Sequence, residues 1–229
     1  MLDFQSGETL LIDKPLGWTS FDVVNKIRWN IKQKLKIKNI KVGHAGTLDP
    51  LATGLLIICT GKHTKHITAL IGQEKEYTGT IFLGKTTPSY DLETEYDQSY
   101  SVANISLDQI ETVRQSFMGE QDQLPPLFSA KKIDGKRAYD YVREGKTVIL
   151  NPNKIIITSF AIQTQNFPEI HFKISCSKGT YIRSIAHDFG KKLGIGATLT
   201  NLRRIKSGDF IIEEAESVEE WIAKITLGE

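Results

Sequence analysis

The residue types best suited to chemistry gather in one stretch, Lys41 to Gly54, which reads KVGHAGTLDPLATG. Three glycines, a proline and two threonines over this span require a tightly turned backbone. Asp49 is the only carboxylate in it and His44 the only imidazole. Pro50 biases Asp49 toward an extended conformation, and an apolar run, Leu55 to Cys59, follows at once. A lone acid fixed this way can serve as a nucleophile or as a stabiliser of developing positive charge. On residue types alone, an ordinary turn is the commoner place for such an aspartate.

Other motifs fail on their own terms. Gly61-Lys62 is not a phosphate loop, because the upstream glycine position holds Leu56 and the hydroxyl position holds His63. Gly194-Ile195-Gly196 lacks the third glycine of a dinucleotide loop. His63 and His66 have ligand-like spacing without a neighbouring cysteine or carboxylate. No metal or other cofactor is expected, so any chemistry runs on side chains.

The elements that must hold the Asp49 loop follow from periodicity and punctuation. Leu10 to Ile12 reads as a buried strand, and Thr19 and Ser20 cap a helix from about Phe21 to Leu35. Val42 to Thr53 reads as a loop, Leu55 to Cys59 as a strand and His63 to Ile71 as a helix. Tyr77 to Leu83 alternates as a strand does, and Ser89 to Asn104 looks like an exposed polar loop. A helix over Leu107 to Phe117 precedes a Pro-rich loop, Gly119 to Leu127, and Asp134-Gly135 signals a hairpin turn. Arg137 to Glu144 reads as a short helix, and Lys154 to Gln163 and Ile170 to Ser177 as strands able to pair antiparallel. Helices over Tyr181 to Leu193 and Val218 to Ile225 flank a strand at Leu199 to Ile205. Without a regular strand–helix alternation, the class is α+β with a largely antiparallel mixed sheet and flanking helices.

The 229 residues are 40% hydrophobic and 24% charged, the composition of a folded soluble domain. No run approaches the roughly 20 apolar residues that span a bilayer, and the start has no secretory pattern. Cys59 and Cys176 lie far apart, so a reducing cytoplasm without a disulfide scaffold is expected. The net charge of +2 is small, but its distribution is uneven. Between Asp22 and Asp49 stand seven basic residues and no acid, and Lys131 to Lys146 is a second basic run. Asp91 to Asp122 carries eight acids against Arg114 alone, and the chain is acidic from Glu213. Such segregation suits a protein with one phosphate-facing side, although a solvated lysine-rich helix reads the same way.

GHAGTLDPLATGLL closely resembles the catalytic motif of the TruB family of pseudouridine synthases, which act on position 55 of tRNA. Asp13 to Ser20 (DKPLGWTS) resembles the family's N-terminal motif, and Lys75-Glu76-Tyr77 its tyrosine motif. Pro125 to Lys132 and Gly135 to Tyr139 resemble the segment around its RNA-gripping thumb loop, about 125–152. Ser177 to Ser184 (SKGTYIRS) resembles its arginine motif, and Leu202-Arg203-Arg204 its leucine motif. These motifs keep family order from about Leu10 to Gly208.

The resemblance implies isomerisation of a T-loop uridine to pseudouridine, with a pseudouridine-synthase-like catalytic domain over 1–229. It implies Asp49 as nucleophile, Arg183 as the cation that pairs with and orients it, and Tyr77 as the ring stacked on the target base. His44 would fill the space the flipped base leaves, and Leu202 would form an apolar wall behind the uracil. Lys14, Gly46 and Thr47, within matched motifs, are expected in substrate binding. Asp91 matches a further family acid only loosely and stays outside the expected catalytic set. Many family members carry a C-terminal RNA-binding (PUA-like) domain; only about 20 residues follow Gly208, so none is expected here. The expected partner is the T-arm of tRNA, with no membrane, no obligate protein partner and a monomeric state. The alternative is a non-catalytic RNA-binding or tRNA-folding protein on the same fold.

Overall fold

A computed structural model of the chain describes residues 2–128 and 150–228, together with the backbone of 132–133 and 136–137. In chain order the elements begin with β1 (Thr9–Lys14), α1 (Ser20–Leu35), β2 (Val42–His44) and β3 (Ala52–Thr60). A 3-10 turn over Gly61–His66 runs into α2 (Ile67–Ile71), then β4 (Lys75–Leu83), β5 (Lys85–Thr86) and β6 (Gln98–Ser99). Next come α3 (Leu107–Gln115), β7 (Gly119–Gln123), β8 (Lys132–Ile133), β9 (Lys136–Arg137), β10 (Asn153–Gln163) and β11 (Glu169–Cys176). The chain ends with α4 (Ile182–Leu193), β12 (Ala197–Ser207), β13 (Phe210–Ile211), β14 (Glu216–Ser217) and α5 (Val218–Leu227). It divides into two compact units, Met1–Tyr77 with Leu202–Glu229, and Thr78–Asn201.

In the first unit the strand order is β14-β1-β3-β12. β1 runs antiparallel to β3, with Leu10 opposite Ile58 and Ile12 opposite Leu56. α1 starts where expected, because Thr19 and Asp22 form a reciprocal capping box, and it ends at Lys36 in the left-handed region (φ 54°). Its buried stripe of Val23, Val24, Ile27 and Ile31 packs on Leu10, Ile12, Leu56 and Ile58. The other face of β3, with Leu55, Ile57 and Cys59, is covered by Ala45, Ile67, Leu70 and Phe210. Burial on both faces explains why β3 reads as a continuous apolar run rather than an alternating one. α5 closes the unit; its Trp221 Nε1 donates to Leu11 O at 2.8 Å.

In the second unit the order is β4-β11-β10-β7. β10 and β11 pair antiparallel, as the sequence suggests. Phe117, Phe160, Phe172 and Phe189 fill its core, with ring centroids 5.9–6.2 Å apart in stacked and edge-on pairs.

Four sequence expectations change. Val42–His44 is a short strand paired with 58–60 rather than loop, since β3 extends far enough to offer it an edge. The expected helix from His63 is a 3-10 turn with only Ile67–Ile71 α-helical. Gly119–Gln123 is a strand on β10, drawn into the ladder despite its polar sequence. The segment from Ser89 is not simply exposed, because Ser89 is fully buried and Asp91 nearly so. β8 and β9 pair antiparallel on either side of the expected Asp134-Gly135 turn. The Arg137 to Glu144 helix, the Lys131 to Lys146 basic run and most of the thumb-loop motif lie outside the described residues. Among the described residues no helix is long and apolar enough to cross a membrane.

Candidate active site

Within the first unit the loop around Asp49 is clamped on both flanks by the segment that follows β1. Ser20 Oγ donates to Leu48 O at 3.1 Å, and Leu48 N donates back to Ser20 Oγ at 2.8 Å. On the other side Gly17 N donates to Pro50 O at 2.8 Å. The Lys14 side chain is fully buried. Its ammonium donates to Trp18 O at 2.6 Å, to Pro15 O at 2.9 Å and, at the limit of hydrogen bonding, to Pro50 O at 3.5 Å. Burial lowers the Lys14 pKa from 10.5 to about 8, and the Asp49 charge partly opposes that shift. Asp49 itself is half-buried, and its carbonyl accepts from Ala52 N at 3.0 Å, closing the turn into β3.

The start of the loop is tied down by Arg204. Its guanidinium is buried; Nε donates to Leu55 O at 2.7 Å and Nη2 to Gly46 O at 3.1 Å. β12 runs parallel to the start of β3, with Leu202 opposite Ala52 and Arg204 opposite Gly54. Gly54 is required there: its φ is +100°, and a Cβ would stand 2.3 Å from Arg204 O. Arg203 points to the opposite face and forms a two-pronged ion pair with Asp13, the shorter contact 2.7 Å. His44 ends β2; burial first and the Arg204 charge second push its pKa down, so the ring is neutral at neutral pH. Its Nδ1 is buried with no hydrogen-bond partner among the described residues. Thr47 is exposed, while Leu202 and Tyr77 are largely buried at 8% and 9% accessibility.

Arg183 belongs to the second unit, in the first turn of α4, and is nearly inaccessible. Its Nε lies 3.6 Å from Asp91 Oδ2, both side chains being buried, and its Nη1 donates to Ser89 O at 3.2 Å. The turn that presents Asp91 is held with care. Thr87 Oγ1 and Ser89 Oγ donate to Asp91 O at 2.6 and 3.1 Å, and Asp91 Oδ1 accepts from Glu93 N at 3.0 Å. Tyr90 sits at φ 67°, a conformation non-glycine residues rarely adopt, and stacks on His187 of α4 at 3.8 Å between centroids. Among the described residues no three His, Cys, Asp or Glu side chains come together as a metal site.

The family model described as TruB family pseudouridylate synthase (N terminal domain) matches residues 32–182. The one described as tRNA pseudouridylate synthase B C-terminal domain matches 183–224. The chain belongs to the TruB family of pseudouridylate synthases. The "tRNA pseudouridine synthase B" of Flavobacterium johnsoniae is 54% identical over 215 residues, covering 93% of each chain. The protein of the same name from Phocaeicola vulgatus is 52% identical over 224 residues, covering 96% of this chain and 95% of the relative. Among solved structures, a Cbf5-Nop10-Gar1 complex contains a chain 30% identical, with a TM-score of 0.71 over 96% of this chain. This chain spans about half of that one, 54%.

Of the expected site residues, Lys14, His44, Gly46, Thr47, Asp49, Tyr77 and Leu202 fall in the first unit and Arg183 in the second. Sequence reasoning missed the parts played by Ser20, Arg204 and Asp91. Arg204 had a usable signal: it lies two residues after Leu202 on a strand, so the two side chains share a face. The buried state of Asp91 had none, since its surroundings are polar and rich in turn formers.

Proposed function

We propose that this chain converts a T-loop uridine of tRNA, position 55, to pseudouridine, acting as a monomer in the bacterial cytoplasm. The observation that carries this reading is the clamped Asp49 loop, a single half-buried carboxylate fixed from both sides in a chain of pseudouridylate-synthase lineage. Preorganisation of this kind lowers a barrier by removing the need to orient the reacting group during reaction. Both units belong, on this reading, to one catalytic domain.

The target base must leave the tRNA stack, which costs a few kcal/mol. His44, with its unpartnered buried Nδ1, is suited to the space the base vacates, and Leu202 and Tyr77 supply apolar and aromatic walls for the uracil. Asp49 attacks or stabilises the sugar–base unit as the N1–C1′ bond breaks. The uracil turns, C5 joins C1′, and the proton on C5 leaves to Tyr77 or water while N1 gains one. Atoms and electrons balance without an added reagent. Arg183 is held by Asp91 and the Ser89 carbonyl; the family motif assigns it, on this reading, as the cation that orients the Asp49 carboxylate. Lys14 acts here as a support for the loop rather than as a contact to RNA, because its ammonium is buried on backbone carbonyls. Gly46 offers its backbone, and the exposed Thr47 side chain is available to the RNA.

Incubating tRNA with the protein and mapping modified nucleotides tests the reading. Pseudouridine at position 55 supports it, whereas unchanged tRNA points to a binding protein and strand cleavage to a hydrolase.

A further inference from the structure

Among the described residues of its unit, α1 leaves one face without a partner, and that face is not what a solvated helix presents. At 100° per residue, Phe21, Asn25, Trp29 and Lys32 fall within about a quarter turn of one another, opposite the buried stripe. Trp29 is 58% exposed and Phe21 60%, and Leu16, just before the helix, is 63% exposed. Beside them lies an open pocket of about 590 Å³ lined by Gly17, Trp18, Asp22, Asn25, Lys26 and Trp29. Its floor is rigid, since Lys14 holds the Trp18 carbonyl, Gly17 N is bonded to Pro50, and Trp18 packs on the core. A large indole left in water at the centre of a helix face contributes nothing to this unit's core.

The charge around the pocket is one-sided. Asp22 is its single acid, and that carboxylate is engaged by Thr19 N and Oγ1 in the capping box. From there to Asp49 every charged residue is basic. Arg28 and Lys34 are committed to Val42 O and Thr226 O. Lys26 lines the pocket and is exposed, and Lys32, half-buried, lies on the Phe21–Asn25 side of the same helix.

We propose that this face of α1 binds an unpaired stretch of RNA, with a base stacked on Trp29 in the Trp18 pocket and its phosphates on Lys26 and Lys32. Aromatic planes set among lysines are the elements of a single-strand platform, where stacking supplies sequence-tolerant affinity and the cations track the backbone. The pocket size suits one or two nucleotides rather than a folded protein surface. The proposal rests on the reading that the substrate is an RNA. It adds a second point of attachment, formed by the element whose first residues also clamp the Asp49 loop.

The test uses the full chain, a single-stranded oligouridylate of about ten nucleotides as probe, and Trp29→Ala and Lys26→Ala, both at exposed positions. Trp29→Ala should weaken oligouridylate binding about tenfold, and Lys26→Ala should flatten its salt dependence. With tRNA, Trp29→Ala should raise KM several-fold and leave kcat unchanged. Wild-type binding and KM in Trp29→Ala, with Phe21→Ala equally silent, overturn the proposal. So does an acidic peptide such as polyglutamate competing at a tenth of the oligouridylate concentration, which assigns the face to a protein. The binding arm requires no turnover. A wild-type chain that makes no pseudouridine but binds oligouridylate through Trp29 therefore refutes the proposed reaction and leaves the platform standing.

Discussion

Replacing Lys14 by Met probes the clamp under Asp49, and its effect on stability should depend on pH. In the native state the Lys14 ammonium is buried and its pKa falls from 10.5 to about 8. That fall corresponds to about 3 kcal/mol, at roughly 1.4 kcal/mol per pH unit. The folded pKa lies below the unfolded one, so below about pH 8 both states hold the proton and the native state bears the whole cost. Between about 8 and 10.5 the native state releases its proton first, the unfolded state binds more, and stability rises with pH. The neutral amine still has two N–H groups for the Trp18 and Pro15 carbonyls, its shortest contacts. Methionine fills similar space but leaves those carbonyls without a donor, at about 1–3 kcal/mol each. Near pH 7 this loss is offset by the removed charge, so the destabilisation of Lys14→Met should lie between roughly −1 and 3 kcal/mol. By pH 10 the offset has gone and the gap should widen by up to about 3 kcal/mol, or some 6–12 °C in Tm. Thermal unfolding of both proteins from pH 7 to 10 measures it, with other titrating groups cancelling in the difference. A gap that stays constant or narrows as pH rises refutes the reasoning.

Asp49→Ala should lose essentially all turnover while keeping tRNA affinity within a few-fold, because phosphate contacts dominate binding; single-turnover pseudouridine assays and filter binding measure the two, and residual turnover above about one per cent sinks the nucleophile assignment. Arg183→Lys should remain badly impaired in kcat, since lysine keeps the charge but cannot engage Asp91 and the Ser89 carbonyl with a planar fork; near-normal kcat would reduce its role to generic charge. Asp91→Ala removes one buried carboxylate beside the Arg183 guanidinium, so denaturant unfolding should show a loss of a few kcal/mol, up to about 3–5 kcal/mol, along with reduced kcat; a loss below about 1 kcal/mol would mean that the pair at 3.6 Å contributes little. Pre-folded tRNA should be modified at an undiminished rate in EDTA, and a strong loss restored by zinc would return attention to His63 and His66.

Local information determined much of this protein. The Thr19–Asp22 box and the spacing of Val23, Ile27 and Ile31 specify α1 within a residue or so, because capping and helical periodicity act over a few neighbours. The apolar run Leu55 to Cys59 specifies β3, and GHAGTLDP singles out Asp49 as the loop's one carboxylate. Partners distant in sequence were not legible. The strand at Gly119–Gln123 exists because β10 offers it a ladder, and its own polar residues give no period-2 signal. Arg204 reaches back across 158 residues to the Gly46 carbonyl, and Arg183 across 94 to Ser89 O. Lys14 is expected from its motif in substrate binding and becomes a buried strut, since only the fold brings three carbonyls around its ammonium. Burial, and with it the strength of every charge in the site, is a property of how the strands and helices enclose one another, and no window of sequence contains it.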